Sequence, residues 1–183
     1  MCILLRIIQK FLDKRGTFVL MKNKLFLILL SISLSIFLIS CGSNKNQDAL
    51  IKYMNEDVKK ALEYEEIVTT TYDSITGDNY TNDYIVYTEL QNTILPNSVK
   101  LIASLESIEC GFDELRDVHE LYLSAVNTQH QAFTTILSAL ETQDYLLVSE
   151  GNQLLTEARK YSRDYMSKLK KLCEDNNVEL QQE

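Results

Sequence analysis

Three cysteines, two histidines and ten tyrosines hold most of the reactive chemistry of residues 41–183. Cys41 stands where the apolar Leu38-Ile39-Ser40 meets the polar Gly42-Ser43-Asn44. The thiolate is the nucleophilic form of cysteine, so a thiol at this border is placed to attack an electrophile at a membrane surface. Cys110 and Cys173 lie nearly equidistant from a turn near Thr142. If the segments on either side of that turn form an antiparallel helical pair, both thiols fall at its open end. A disulfide between Cys110 and Cys173 is therefore expected there; two free, half-buried thiols are the alternative. The loop so closed would be long, and such a bond typically contributes about 2–4 kcal/mol.

The border cysteine has a particular setting. Met21-Lys22-Asn23-Lys24 is a short basic start, and Leu25–Ile39 is apolar except for Ser31, Ser33 and Ser35. That run is 15 residues long, whereas a helix needs roughly 20 to cross a bilayer. A basic start, a short apolar stretch and a small residue before the border make a secretory signal. Leu38-Ile39-Ser40-Cys41 resembles the lipobox of bacterial lipoproteins: an aliphatic residue, a tolerant position, a small residue, then cysteine. The resemblance covers residues 21–41. It implies that Cys41 is S-diacylglycerylated and then released from Ser40, and that the chain is held on the extracytoplasmic face of the cell membrane. Two acyl chains give stable anchoring, where one gives only marginal binding. Residues 1–20 place a second apolar and basic stretch ahead of a complete signal. They are read as an extended basic region or as upstream of a true start at Met21.

Catalytic and metal chemistry finds little support. His119 and His130 are the only histidines. Neither belongs to paired Glu-x-x-His motifs, to His-Glu-x-x-His, to a glycine-rich phosphate loop or to a nucleophile elbow. His119 adjoins the apolar positions Val118 and Tyr122, which suits a packed residue better than a ligand. Glu65-Glu66, Asp113-Glu114 and Glu174-Asp175 read as charges on helix faces and ends. Arg159, Lys160, Arg163, Lys168, Lys170 and Lys171 form a basic cluster that wraps the helix, as a solvated face would. Tyr84, Tyr87, Tyr122, Tyr161 and Tyr165 could line a cleft, but more often such rings fill a core with the hydroxyl reaching water. No catalytic residue, metal or cofactor is assigned.

Residues 1–40 hold six of the 18 Lys+Arg and one of the 26 Asp+Glu, so residues 41–183 carry a net charge of −13. Such an acidic body is unsuited to nucleic acid or to a broad basic grip on anionic polymers.

The elements that must position these groups are helical. Residues 41–183 contain no tryptophan, one proline and four glycines, and sparse breakers favour long helices. Apolar residues recur in steps of three and four through four segments. The first runs from about Asp48 to Ile75 and stops at Gly77. The second runs from about Tyr80 to Ile108, with its stripe drawn through Tyr80, Tyr84, Tyr87, Gln91 and Ile94. It should kink near Pro96, which lacks a donor and clashes one turn back. The third opens at Asp113 and reaches about Glu141. The fourth follows Thr142-Gln143-Asp144 and ends near Asn176-Asn177. Ile67–Tyr72 and Tyr84–Thr88 are β-branched and aromatic runs that could instead pair as a hairpin, although each continues a helical phase.

The expected fold is all-α: an up-down-up-down antiparallel bundle over 48–177, with a lipidated tether at 41–47 and a frayed tail at 178–183. The expected function is a non-enzymatic interaction module of the cell envelope, similar to small helical Gram-positive-type lipoproteins. Its partners would be the membrane through Cys41 and an envelope protein, and not nucleic acid. A ligand-binding lipoprotein with an inter-helix cleft, or an immunity or inhibitor lipoprotein, is the alternative.

Overall fold

The computed structural model describes residues 44–179. The lipobox-like motif, Cys41 and the stretch before them lie outside the described residues, as do 180–183. Among the described residues every regular element is helical and none is a strand. In chain order these are α1 (Lys45–Lys52), a π-helical turn (Tyr53–Asp57), α2 (Lys59–Ile75), a 3-10 turn (Gly77–Asn79), α3 (Asp83–Glu89), a second π turn (Leu90–Ile94), α4 (Leu95–Glu106), α5 (Asp113–Thr142) and α6 (Tyr145–Asp175). Both runs that could have paired as strands are helical, within α2 and α3. No helix of the described residues is long and apolar enough to cross a membrane.

Helix ends follow local chemistry. Asn44 caps α1, its side chain accepting from Asn46 N at 3.2 Å. Helix thus begins at Lys45, inside the stretch expected to be tether. Asn82 caps α3 by accepting from Ile85 N at 3.0 Å, and Asp144 caps α6 by accepting from Leu146 N at 2.8 Å; each satisfies an otherwise orphaned amide. Gln143 and Asn177 adopt positive φ, 55° and 56°. In both places the next amide reaches back to the carbonyl five residues earlier, Asp144 N to Ala139 O at 3.1 Å and Val178 N to Cys173 O at 2.8 Å. These are Schellman closures, which bring the following residue back onto the helix. Val178 is accordingly buried, so the chain expected to fray from 178 is tied down through that residue.

Pro96 acts one turn away from where a kink was expected. Leu95 N–H bonds Leu90 O across the second π turn, and Pro96 sits in the first turn of α4, where its missing donor costs least. The extra residue of a π turn also shifts the phase of the helix. The buried face runs through Val86, Leu90, Ile94, Ser98, Leu101 and Leu105. Of the stripe drawn for this run, Tyr84, 77 % exposed, and Gln91 face solvent, whereas Ile94 is buried and Tyr80 and Tyr87 pack part-buried against the core.

The helices pack together around a core of two apolar clusters. One gathers Leu50, Tyr53, Met54, Leu101, Leu105, Leu115, Tyr122, Tyr165, Leu169 and Cys173. The other gathers Val68, Val86, Leu90, Ile94, Ala132, Phe133, Ile136 and Leu155. Within the hairpin of α5 and α6, Gly151 packs closely on α5: a Cβ there would lie 2.6 Å from Ile136 Cγ1 and 3.3 Å from Ala132 O. Only the absence of a side chain permits that approach.

Candidate functional site: a buried carboxylate and its tyrosines

Glu65, midway along α2, turns inward on the stripe that also carries Ala61 and Val68, and only 6 % of it is exposed. Its neighbour Glu66 faces solvent. The reading of this pair as a charged helix face therefore holds for Glu66 and fails for Glu65. Tyr122 on α5 donates its hydroxyl to Glu65 Oε2 at 2.6 Å. The Tyr122 ring stacks on Tyr165 of α6, centroids 4.7 Å apart and planes 19° apart. Tyr165 and Tyr53 approach through their hydroxyls at 3.5 Å. Tyr53 lies 3.0 Å from His119 Nδ1 and packs edge-on against that imidazole.

The far nitrogen of His119 fixes the direction of these bonds. Nε2 lies 3.1 Å from Leu105 O, and a carbonyl can only accept, so Nε2 carries the hydrogen. In the neutral ring Nδ1 then accepts from Tyr53, and Tyr53 oxygen accepts from Tyr165. Burial lowers the His119 pKa, partly opposed by the Leu105 carbonyl, which keeps the ring neutral. Burial also raises all three phenols. For Glu65 burial outweighs the Tyr122 hydrogen bond and lifts the carboxyl from 4.5 to about 7.

Beside Glu65 lies a cavity of about 20 Å³, lined by Ala125, Val126, Gln129, Leu155, Ala158, Arg159 and Ser162 as well as Glu65 itself. That is room for about one water.

The tyrosines considered for a cleft divide. Tyr122 and Tyr165 are core rings bonded inward, Tyr84 is exposed, and Tyr87 and Tyr161 are part-exposed, with Tyr87 donating to Glu141 at 3.3 Å. His130 was not paired with any group from sequence, yet its Nδ1 lies 2.6 Å from Ser98 Oγ. A serine beside an imidazole invites a nucleophilic reading. Here Ser98 is 2 % exposed and gives its own hydrogen to Leu95 O at 2.9 Å. The 2.6 Å bond is then donated by His130 Nδ1–H, so that nitrogen cannot serve as the base. Arg159, Lys160, Arg163, Lys168, Lys170 and Lys171 are all exposed, as a solvated face requires. Comparison with protein-family models, curated proteins and solved structures finds no match.

Cys110 and Cys173 are free thiols, so the expected disulfide is not formed. Both do belong to the first core cluster. The first helical run packs at the same end of the hairpin, through Ala49 and Met54. Cys173 turns its sulfur to Met54 Sδ at 3.6 Å, whereas Cys110 senses the charges of Arg116, Asp57 and Glu120. Gly111 is pressed on α1, where a Cβ would fall 2.7 Å from Ala49 Cβ. Burial raises the Cys173 thiol to about 11, which suppresses the reactive thiolate. Among the described residues no group of three or more metal-ligating side chains is assembled.

Sequence reasoning missed Glu65, although a signal existed: an acid three and four residues from Ala61, Leu62, Val68 and Thr69 lies on the buried stripe of its helix.

Proposed function

We propose that this chain is a lipid-anchored helical module of the extracytoplasmic cell envelope, acting by contact with another envelope protein and not by catalysis. The observation that carries the reading is the Leu38-Ile39-Ser40-Cys41 motif after a basic start and a short apolar run. The structure is compatible with it, since helix begins at Lys45, four residues past Cys41. The inward-bonded Tyr122 and Tyr165 favour an interaction module over a tyrosine-lined ligand cleft, and the Ser98–His130 bond, donated by the histidine, offers no base to the buried serine.

The body is proposed to be an antiparallel four-helix bundle whose rods are 45–75, 83–106, 113–142 and 145–175. Contacts between successive rods support this. Leu105 meets His119, Ser98 meets His130 and Tyr87 meets Glu141, with numbers falling on one rod as they rise on the next. Tyr122–Tyr165 and Ile136–Gly151 follow the same rule.

Growth with labelled palmitate tests the anchor. The wild-type chain should label and partition with membranes, and Cys41→Ala should do neither. An unlabelled, soluble wild type refutes the anchor. Crosslinking in intact cells then tests the partner: an envelope protein captured by wild type and lost with Cys41→Ala is expected, and a co-purifying small molecule would favour ligand binding.

A further inference from the structure

The cation that lines the Glu65 cavity, Arg159, is not bonded to the Glu65 carboxylate. From α5 Glu65 meets Tyr122 and the Gln129 wall of the cavity; from α6 it meets Arg159, Ser162 and Tyr165. Arg159 is exposed and acts on Tyr72 and Asp73 of α2. On α4, Lys100 lies over the Tyr64 ring at 5.8 Å. Thr69 Oγ1 bonds the Glu65 and Glu66 carbonyls, at 2.8 and 3.2 Å, and not the Glu65 carboxylate. A cation bonded to the Glu65 carboxylate is thus absent among the described residues.

Burial favours the neutral acid against the Tyr122 hydrogen bond, and the hydrogen-bond inventory can accommodate it. Tyr122 donates to Oε2, so the proton of a neutral carboxyl belongs on Oε1 and needs an acceptor. The adjoining cavity has room for one water to accept it. Ser162 Oγ gives its own hydrogen to Ala158 O at 3.1 Å and keeps lone pairs free to receive that water, and the Gln129 amide lines the same space. A buried water needs two to four such partners.

We propose that Glu65 and this cavity bind one proton and one water, and that losing the proton loosens α2 from the α5–α6 hairpin. The reaction is a simple ionisation: the Oε1–H bond breaks, its electron pair stays on oxygen, and the proton passes through the cavity water to solvent. Its sign follows from linkage. The folded-state carboxyl titrates at about 7 and the ordinary one at 4.5. Between these values the folded chain holds the extra proton, so folding weakens as pH rises through the window and levels off above it. The histidines act in the opposite sense. His119 and His130 are both held below their ordinary value by burial, so their contribution is lost as pH falls through 6.5. Comparison with Glu65→Gln isolates the acid, because glutamine still accepts from Tyr122 and does not ionise.

The test uses the full-length chain purified in detergent. Urea unfolding is followed from pH 5 to pH 9 for wild type and Glu65→Gln, with hydrogen exchange of residues 59–75 corrected for intrinsic rate. The wild-type folding equilibrium should weaken against Glu65→Gln by on the order of a hundredfold between pH 5 and pH 8, with faster exchange in α2. Parallel curves for the two proteins overturn the proposal. If Glu65→Gln does not fold, carbon-13 titration of the wild-type carboxyls decides: a buried glutamate titrating near 7 supports the site, and one near 4.5 overturns it.

Discussion

Replacing Gly111 by alanine should separate α1 from the end of the hairpin. Gly111 lies between Glu106 of α4 and Asp113 of α5, and its φ is not positive. Alanine is therefore tolerated by the backbone and would by itself stabilise through the unfolded chain by about 0.4–1 kcal/mol. Against this stands the new Cβ, 2.7 Å from Ala49 Cβ and 4.0 Å from Ala49 Cα. A methyl fixed to the helix backbone cannot rotate away, so α1 itself must move. Overpacking of this kind costs about 1–3 kcal/mol, which leaves a net loss of roughly 0.5–2 kcal/mol. Urea unfolding measures the loss, and an Ellman assay of Cys173, 1 % exposed in the native chain, reports the displacement of the helix that covers it. Ala49→Gly supplies the control. Alone it should cost about 1 kcal/mol as a glycine inside a helix; combined with Gly111→Ala it should relieve the contact, so the double variant is more stable than the two single losses predict. Strict additivity, or a Gly111→Ala protein more stable than wild type with Cys173 still protected, would show that α1 does not close this end.

Other substitutions read other parts of the core. Phe133→Ala removes a fully buried ring that packs on Tyr72 with centroids 5.0 Å apart, and should cost about 3–5 kcal/mol in chemical unfolding. Ser98→Ala leaves His130 Nδ1–H without its acceptor at a part-buried site and should cost about 1–3 kcal/mol; a neutral result would mean that water replaces the serine. His119 and His130, held below their ordinary value by burial, should withdraw stability as pH falls below 6.5, against the opposite contribution of Glu65, so relative to wild type His119→Gln should lose less on acidification in urea unfolding between pH 7 and pH 4.5.

The legible part of the fold was whatever depends on one helix at a time. Leu115, Val118, Tyr122, Val126, Phe133 and Ile136 repeat at steps of three, four and seven, and the structure buries them all. Asp144 and Asn177 punctuate the last helix as their side chains allow. Register failed where the backbone departs from α geometry. Five residues of π helix before Pro96 rotate the second run, so a stripe projected at constant pitch back from the buried Ile94 took in Gln91 and Tyr84, which face solvent. No composition rule announces a π turn; only the missing proline donor hinted that the chain would deviate nearby.

The site was hidden for a different reason. Its members come from separate helical runs: Tyr53 from the first π turn, Glu65 from α2, His119 and Tyr122 from α5, Tyr165 from α6. Each reads as an ordinary helix residue in its own segment, and the acid acquires meaning only when Tyr122 arrives 2.6 Å away. The cysteines teach the same lesson from the opposite side. Pairing Cys110 with Cys173 treated α5 and α6 as an isolated hairpin, for which their equal distance from the turn is sound geometry. Burying Leu50, Tyr53 and Met54 requires the first helical run to lie across that same end, and at roughly 1.5–3 kcal/mol per large apolar side chain its docking rivals the few kcal/mol a disulfide would contribute. Met54 consequently meets Cys173 at 3.6 Å, and the thiol is sealed against a neighbouring helix instead of bonded to its counterpart.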